Sequence, residues 1–504
     1  MLTIETNDIA KAAGPETCEG SGRVEGSDCI GCHGCGTAEL QEDNVEQGEL
    51  ESRNFTSTRN ACKLCTPLGA CLVFRGVEGC IPFLHGSQGC ATYIRRYLIS
   101  HFREPIDIAS SNFHEESAIF GGASNFKQGI GNVMAQYEPQ LIGVATTCLA
   151  ETIGENMPQL LHDLRFENPG RSLPIVTVST ASYRGTHMDG FHSAVCALVE
   201  QLAVKPEIAA EKNAETSSVN VFPGMVSPAD LRYLKEILAD FELTSALLPD
   251  YSETMDGESW SRYEKLQSGG TPVLAIAAMG HARASIEFGR TLHPTKTPAG
   301  ILHQTCQVPR HLLGLPIGLR ETDLFFSVLQ LLSERIVPSK HQRERGRLVD
   351  SLIDAHKYVF EKRAVVYGEE DLVIGLTAFL TEIGVTPILC ATGGKSGRFA
   401  ECLREAAPGL PEETRIEDGF DFAGMADVAP SLAPDFFLGS SKGYSVARKL
   451  KVPLVRVGFP IHDRVGGQRV LHLGYRGAQA LFDQIVNTLM ERKQELSDIG
   501  YSYL

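Results

Sequence analysis

Continuous apolar runs, rather than alternating ones, recur along this chain and constrain its fold more than any other feature. QLIGVATTC (140–148) and LPIVTVST (173–180) offer no polar face. A strand written this way must be covered on both sides, as in a buried parallel sheet. VNVFPG (219–224) opens a second set, followed by helix-like DLRYLKEILADF (230–241), strand-like SALLPD (245–250) and a further apolar run, TPVLAIAAMG (271–280). A third set reads strand, loop, helix, strand in KRAVVYGEEDLVIGLTAFLTEIGVTPILCATGG (362–394). It continues through PDFFLGSS (434–441) and VPLVRVGFP (452–460) to an amphipathic closing helix, AQALFDQIVNTLMERKQ (478–494). Strands alternating with helices predict an α/β protein with doubly wound parallel sheets. At roughly 100–200 residues per domain the length suits about three such domains. We expect them at 61–205, 206–360 and 361–504, preceded by a polar arm, 1–60. In such sheets the loops at the carboxyl ends of strands carry the chemistry, and TTC directly follows a strand.

Composition excludes several classes of function. A formal charge of −16 argues against a nucleic-acid surface, which needs basic patches to displace counterions. No apolar run reaches the roughly 18 residues of a membrane span. The opening MLTIETNDIAKAAGPETCEG has no basic segment ahead of an apolar core, so no secretory signal is expected and a cytoplasmic location is. In that setting 14 cysteines point to metal or redox chemistry rather than disulfides. Cys196, Cys390 and Cys402 sit in apolar or helical surroundings and read as core residues.

Three other cysteines stand in short Gly-flanked loops: Cys65 in CKLCTPLGAC, Cys90 in HGSQGCATY and Cys148 in ATTCLAET. Each belongs to a different element, and iron–sulfur clusters need thiolates converging from such elements. Gly69, Gly86 and Gly89 would let backbone approach an inorganic cluster. Three thiolates are one short of the usual four, so a partner chain or another ligand must complete the set. On spacing alone, three buried structural cysteines stand as the alternative.

The surrounding words carry a resemblance. CTPLGA, HGSQGC, HFREP, FGG, TTCLAE with IGE, TASYRGTH, RGRLVDSLIDAH, VGFPIHDR and LGYRGA resemble, in order, the β-type subunits of the nitrogenase component 1 superfamily, from about Cys62 to about Lys493. The resemblance implies three Rossmann-like domains and an α₂β₂ assembly with an α-type component 1 subunit. It implies that Cys65, Cys90 and Cys148 are the β-side ligands of an eight-iron P-cluster (8Fe-7S), with Ser182 of TASYRG ligating its oxidised form. A hard serine oxygen favours oxidised iron; the plainer reading of Ser182 is a loop hydroxyl bonded to nearby backbone. It also implies that an ATP-dependent iron protein delivers electrons, which pass to a cofactor in the α subunit. STRNACKLC, YIRRYLISHF and VGGQRVLHLGYRG look more like the β-type scaffold of cofactor assembly and the nitrogenase-like reductases, such as methylthio-alkane reductase. Retention of all three cysteines and the serine favours a reductase over the scaffold.

Further candidates lie elsewhere. Cys29, Cys32 and Cys35 form C-x₂-C-x₂-C in the arm, with Cys18 upstream. This is an iron–sulfur or zinc signature, with loosely ordered reactive thiols as the alternative. Asp350 and Asp354 share a helix face by their spacing. By resemblance they would join Glu104 and the backbone of Arg103 in a mononuclear site at a β–β contact, where oxygen ligands suit Ca²⁺ or iron; a solvated helix face is the alternative. ATGGKSG (391–397) lacks the full phosphate-loop frame, so nucleotide binding is not expected. His85 and Gln88 would either hydrogen-bond near the cluster or pack.

Overall fold

The structure is a computed structural model that describes residues 61–167, 173–205, 218–293 and 295–499. The arm cysteines Cys18, Cys29, Cys32 and Cys35 lie outside the described residues. The described residues belong to one contact unit, 57–504.

Three separate sheets are present, and every ladder among the described residues is parallel. The first contains β1 (Cys80–His85), β2 (Ala109–Ser110), β3 (Leu141–Thr146) and β4 (Ile175–Val178) in the order β2-β1-β3-β4. The second contains β5 (Val219–Phe222), β6 (Ser245–Leu247), β7 (Ala284–Phe288) and β8 (Arg310–Leu313) in the order β6-β5-β7-β8. The third runs β11-β10-β9-β12-β13, from β9 (Arg363–Gly368), β10 (Thr386–Thr392), β11 (Arg415–Glu417), β12 (Phe436–Gly439) and β13 (Leu454–Arg456). The α/β class and the parallel sheets expected from the apolar runs are present. β1 and β3 are buried along their whole length, as strands covered on both faces must be.

Two local readings differ. TPVLAIAAMG is not a strand: Val273–Ala278 is helical and Met279–His281 a 3-10 turn. Pro272 sits at the N-cap, and the Ala-rich run favours helix. The strand follows as β7, whose Ser285 and Glu287 are buried but break the apolar pattern. β1 escapes the sequence pattern because Pro82 interrupts it, and proline argues against a central strand. It is tolerated because β2 pairs only with Phe83 and Leu84, leaving the earlier part of that edge without a ladder to interrupt.

The helix Thr66–Arg75 is buried throughout and crosses the helix His187–Leu202 at glycines. A Cβ on Gly69 would strike the His187 carbonyl, and one on Gly190 the Thr66 carbonyl. This crossing fixes where Cys65, just ahead of the first helix, can lie.

Candidate metal centre

The strand order of the first sheet dictates the site. Connections leave β1 and β3 in opposite directions, so a crevice opens between their carboxyl ends, where ligands bind in such sheets. β1 leads through Ser87, whose hydroxyl caps the helix Gln88–Phe102, to Cys90 in its first turn. β3 leads directly to Cys148, the first residue of the helix Cys148–Ile153. β4 leads to Ser182, which opens the turn Ser182–Arg184. Cys65 is the N-cap residue of Thr66–Arg75.

The three cysteines converge, and each is half-buried. Burial, and then the charges of Cys148 and Cys65, push the Cys90 thiol up. Cys90 therefore lies within electrostatic reach of both other sulfurs. Each cysteine also stands at a helix N-terminus, Cys65 as the N-cap and Cys90 and Cys148 in first turns. The Ser182 amide donates to Cys148 Sγ at 3.2 Å, and its Oγ accepts from the Thr66 amide at 3.2 Å. Ser182 thus links the Cys148 and Cys65 loops. Beside the thiols, the buried hydroxyls of Thr66 and Thr147 have no partner in the chain. Among the described residues no three His, Cys, Asp or Glu side chains could hold a single ion. Half-burial leaves the set open for ligands from another chain.

Other candidates fall differently. Gly69 serves the helix crossing rather than an approach to a cluster, and Gly86 admits the Thr147 side chain. Gly89 faces only the Ser87 hydroxyl. His85 is buried, with Nδ1 3.1 Å from Ser111 Oγ and Nε2 3.4 Å from Glu155. It packs, while Gln88 is exposed. Cys390 and Cys402 are buried as expected, but Cys196 is only half-buried. It lines a cavity of about 800 Å³ with Cys62, His187 and Glu369. Burial pushes the Cys62 thiol up to about 12. The ATGGKSG loop is occupied from within, since Glu370 Oε1 accepts the Ser396 amide at 3.0 Å. A phosphate would have to displace that carboxylate.

Glu104 accepts from the Gly257 amide at 3.1 Å and from Gln267 at 3.4 Å, and burial raises its carboxyl above the usual range. Asp350 and Asp354 are exposed on the helix Ser339–Val359, with Ile353 72% exposed between them. One chain does not assemble these carboxylates into a site.

A residue with no role assigned from sequence is His187. Its Nδ1 accepts from the Leu64 amide at 3.2 Å and its Nε2 bonds Glu369 at 2.6 Å. The quoted motif TASYRGTH contains it, but nothing in a sequence links residue 187 to residues 64 and 369.

Comparison with known proteins identifies the family. The model of the family Nitrogenase component 1 type Oxidoreductase matches residues 65–490. The chain belongs to that family and is an oxidoreductase subunit of it. It is of the β type. It is 32% identical to the nitrogenase molybdenum-iron protein beta chain of Clostridium pasteurianum, covering 86% of this chain and 93% of that one. To the nitrogenase vanadium-iron protein beta chain of Trichormus variabilis it is 34% identical, over 86% and 94%. A solved structure of nitrogenase Cp1 at pH 6.5 superposes with a TM-score of 0.83 at 30% identity, covering 92% of this chain and 98% of that one.

Proposed function

We propose that this chain is the β subunit of a nitrogenase-like component 1 reductase. On Cys65, Cys90 and Cys148 it holds its half of an eight-iron P-cluster shared with an α-type subunit. The observation that carries the reading is the convergence of three half-buried thiols, each at a helix N-terminus, at the crevice of one sheet. Bound there, the cluster would accept electrons from an ATP-dependent iron protein and pass them toward a cofactor in the α subunit.

The chain's own residues have definable parts. Cys65, Cys90 and Cys148 would hold the cluster from three separate helix N-termini. The Ser182 amide donates to Cys148 Sγ, which lowers the charge that sulfur must carry. Ser182 Oγ is the oxygen we assign to the oxidised cluster. Tyr93 and Tyr183, 42% and 59% exposed beside Cys90 and Ser182, supply apolar surface for the α subunit to cover. A reductase acting on a substrate such as a methylthio-alkane is our favoured member of the class, supported by the full ligand set. The cofactor-assembly scaffold is the alternative against which it is tested. We also propose a cytoplasmic location, and a further iron–sulfur or zinc centre on Cys18, Cys29, Cys32 and Cys35.

The test replaces Cys90 by Ala in the purified α–β complex. Most cluster iron should be lost and the α–β contact weakened; unchanged iron per pair would refute the assignment. Turnover with the partner and its iron protein would support the reductase. Transfer of a cofactor precursor without turnover would identify the scaffold instead.

A further inference from the structure

Cys65 lies between two amides that side chains from elsewhere hold. The Thr66 amide donates to Ser182 Oγ, and the Leu64 amide donates to His187 Nδ1. The His187 amide returns a bond to the Leu64 carbonyl at 3.0 Å, so residue 64 is gripped on both sides by one residue. Because Nδ1 accepts, the ring proton is on Nε2, where it donates to Glu369 Oε1 at 2.6 Å. The His187 and Glu369 side chains are 3% and 11% exposed. Glu369 stands just beyond β9 as the N-cap residue of the helix Glu370–Glu382, yet its side chain makes no capping bond there.

The helix does not need this histidine. Thr186 and Asp189 already form a complete capping box at its start. Both ring nitrogens are committed to residues far away in sequence. Without the ring, the buried Leu64 amide would lose its acceptor. An orphaned buried donor costs about 1–3 kcal/mol, and the strand of chain carrying Cys65 would turn to relieve it. Groups that orient metal ligands act in this way, and their loss typically costs about 10–100-fold in metal affinity.

We propose that His187 is a positioning residue for Cys65 and that Glu369 fixes its ring, so that a residue just beyond β9 of the third sheet sets the geometry of the Cys65 thiol. The proposal rests on the cluster-binding reading above. The test uses the assembled α–β complex with His187→Leu, His187→Gln and Glu369→Ala. Three quantities are read: iron per pair, the midpoint potential of the cluster, and amide exchange over residues 62–66. In His187→Leu, exchange in that stretch should quicken at least tenfold. The cluster's oxidised-to-reduced ratio at fixed potential should change about tenfold, which is about 59 mV for one electron. Glutamine can accept from Leu64 and donate to Glu369, so His187→Gln should recover most of both. Wild-type exchange and potential in His187→Leu would overturn the proposal. If that variant fails to assemble, Glu369→Ala, which leaves the helix crossing untouched, decides by the same readouts, and wild-type values there overturn it. A wild-type complex without iron would sink the cluster reading alone. The exchange comparison would still decide whether His187 holds the Cys65 loop.

Discussion

Ser182 is a loop hydroxyl whose surroundings give it two tasks at once. Its amide serves Cys148 and its oxygen serves the Thr66 amide. Ser182→Ala should leave iron content intact and change the oxidised-state EPR spectrum of the complex; an identical spectrum across the redox range would leave it a structural hydroxyl. Glu287 in β7 makes a separate point about single residues. Burial, opposed by hydrogen bonds from Thr297 and the Ala299 backbone, raises its carboxyl from 4.5 to about 7. Between those values the folded chain keeps a proton that the unfolded chain has lost, so this group's contribution to stability falls as pH rises. Glu287→Gln should remove that fall. The melting temperatures at pH 5 and pH 8 should lie closer together in the variant, and an unchanged gap would mean that Glu287 is already ionised when folded. Asp230 behaves in the opposite sense. Burial raises its carboxyl, but the charge of His472 and hydrogen bonds from His472 and Leu473 outweigh this and hold it low. Its stabilising effect is therefore present above the ordinary carboxylate range and lost as pH falls through its lowered value.

Among the elements, the crossing of Thr66–Arg75 over His187–Leu202 links packing to the site. Its two glycines meet backbone carbonyls, which cannot move aside as a side chain can. Gly190→Ala should destabilise by about 1–3 kcal/mol through overpacking and lower cluster iron, because the helix that shifts begins at Cys65. A lowered melting temperature with full iron content would separate the crossing from the site. At this scale β1 is instructive: its apolar content is high, yet Pro82 conceals it, and only the short reach of β2 explains why proline fits.

At the scale of the whole molecule, the proposed cluster needs ligands from a second chain, and Tyr93 and Tyr183, close in sequence to Cys90 and Ser182, are exposed. We expect an α₂β₂ assembly in which Glu104 of one β chain meets Asp350 and Asp354 of another around one cation. Such a site exists only on assembly, so cation binding would stabilise the tetramer by mass action. Asp350→Ala with Asp354→Ala should shift tetramers toward α–β pairs that keep their iron, as read by analytical ultracentrifugation at several concentrations. A stable, cluster-loaded homo-oligomer of this chain would refute the arrangement. Among the described residues no helix is long and apolar enough to cross a membrane.

The sequence by itself determined the class of fold, because several continuous apolar runs such as QLIGVATTC, alternating with helical patterns, fit strands buried in parallel sheets. It also singled out Cys65, Cys90 and Cys148, because each stands in a short loop that follows a strand or precedes a helix, within words that resemble the family's. Only the tertiary structure decided which residues surround them. Strand order brings the ends of β1 and β3 to one crevice, and the helix crossing brings His187 against Leu64 while Glu369 arrives from another sheet. Periodicity is a local property, set by the pleat of a strand or the turn of a helix. A hydrogen bond between residues 64 and 187 exists only once several elements have packed, and no local pattern encodes it.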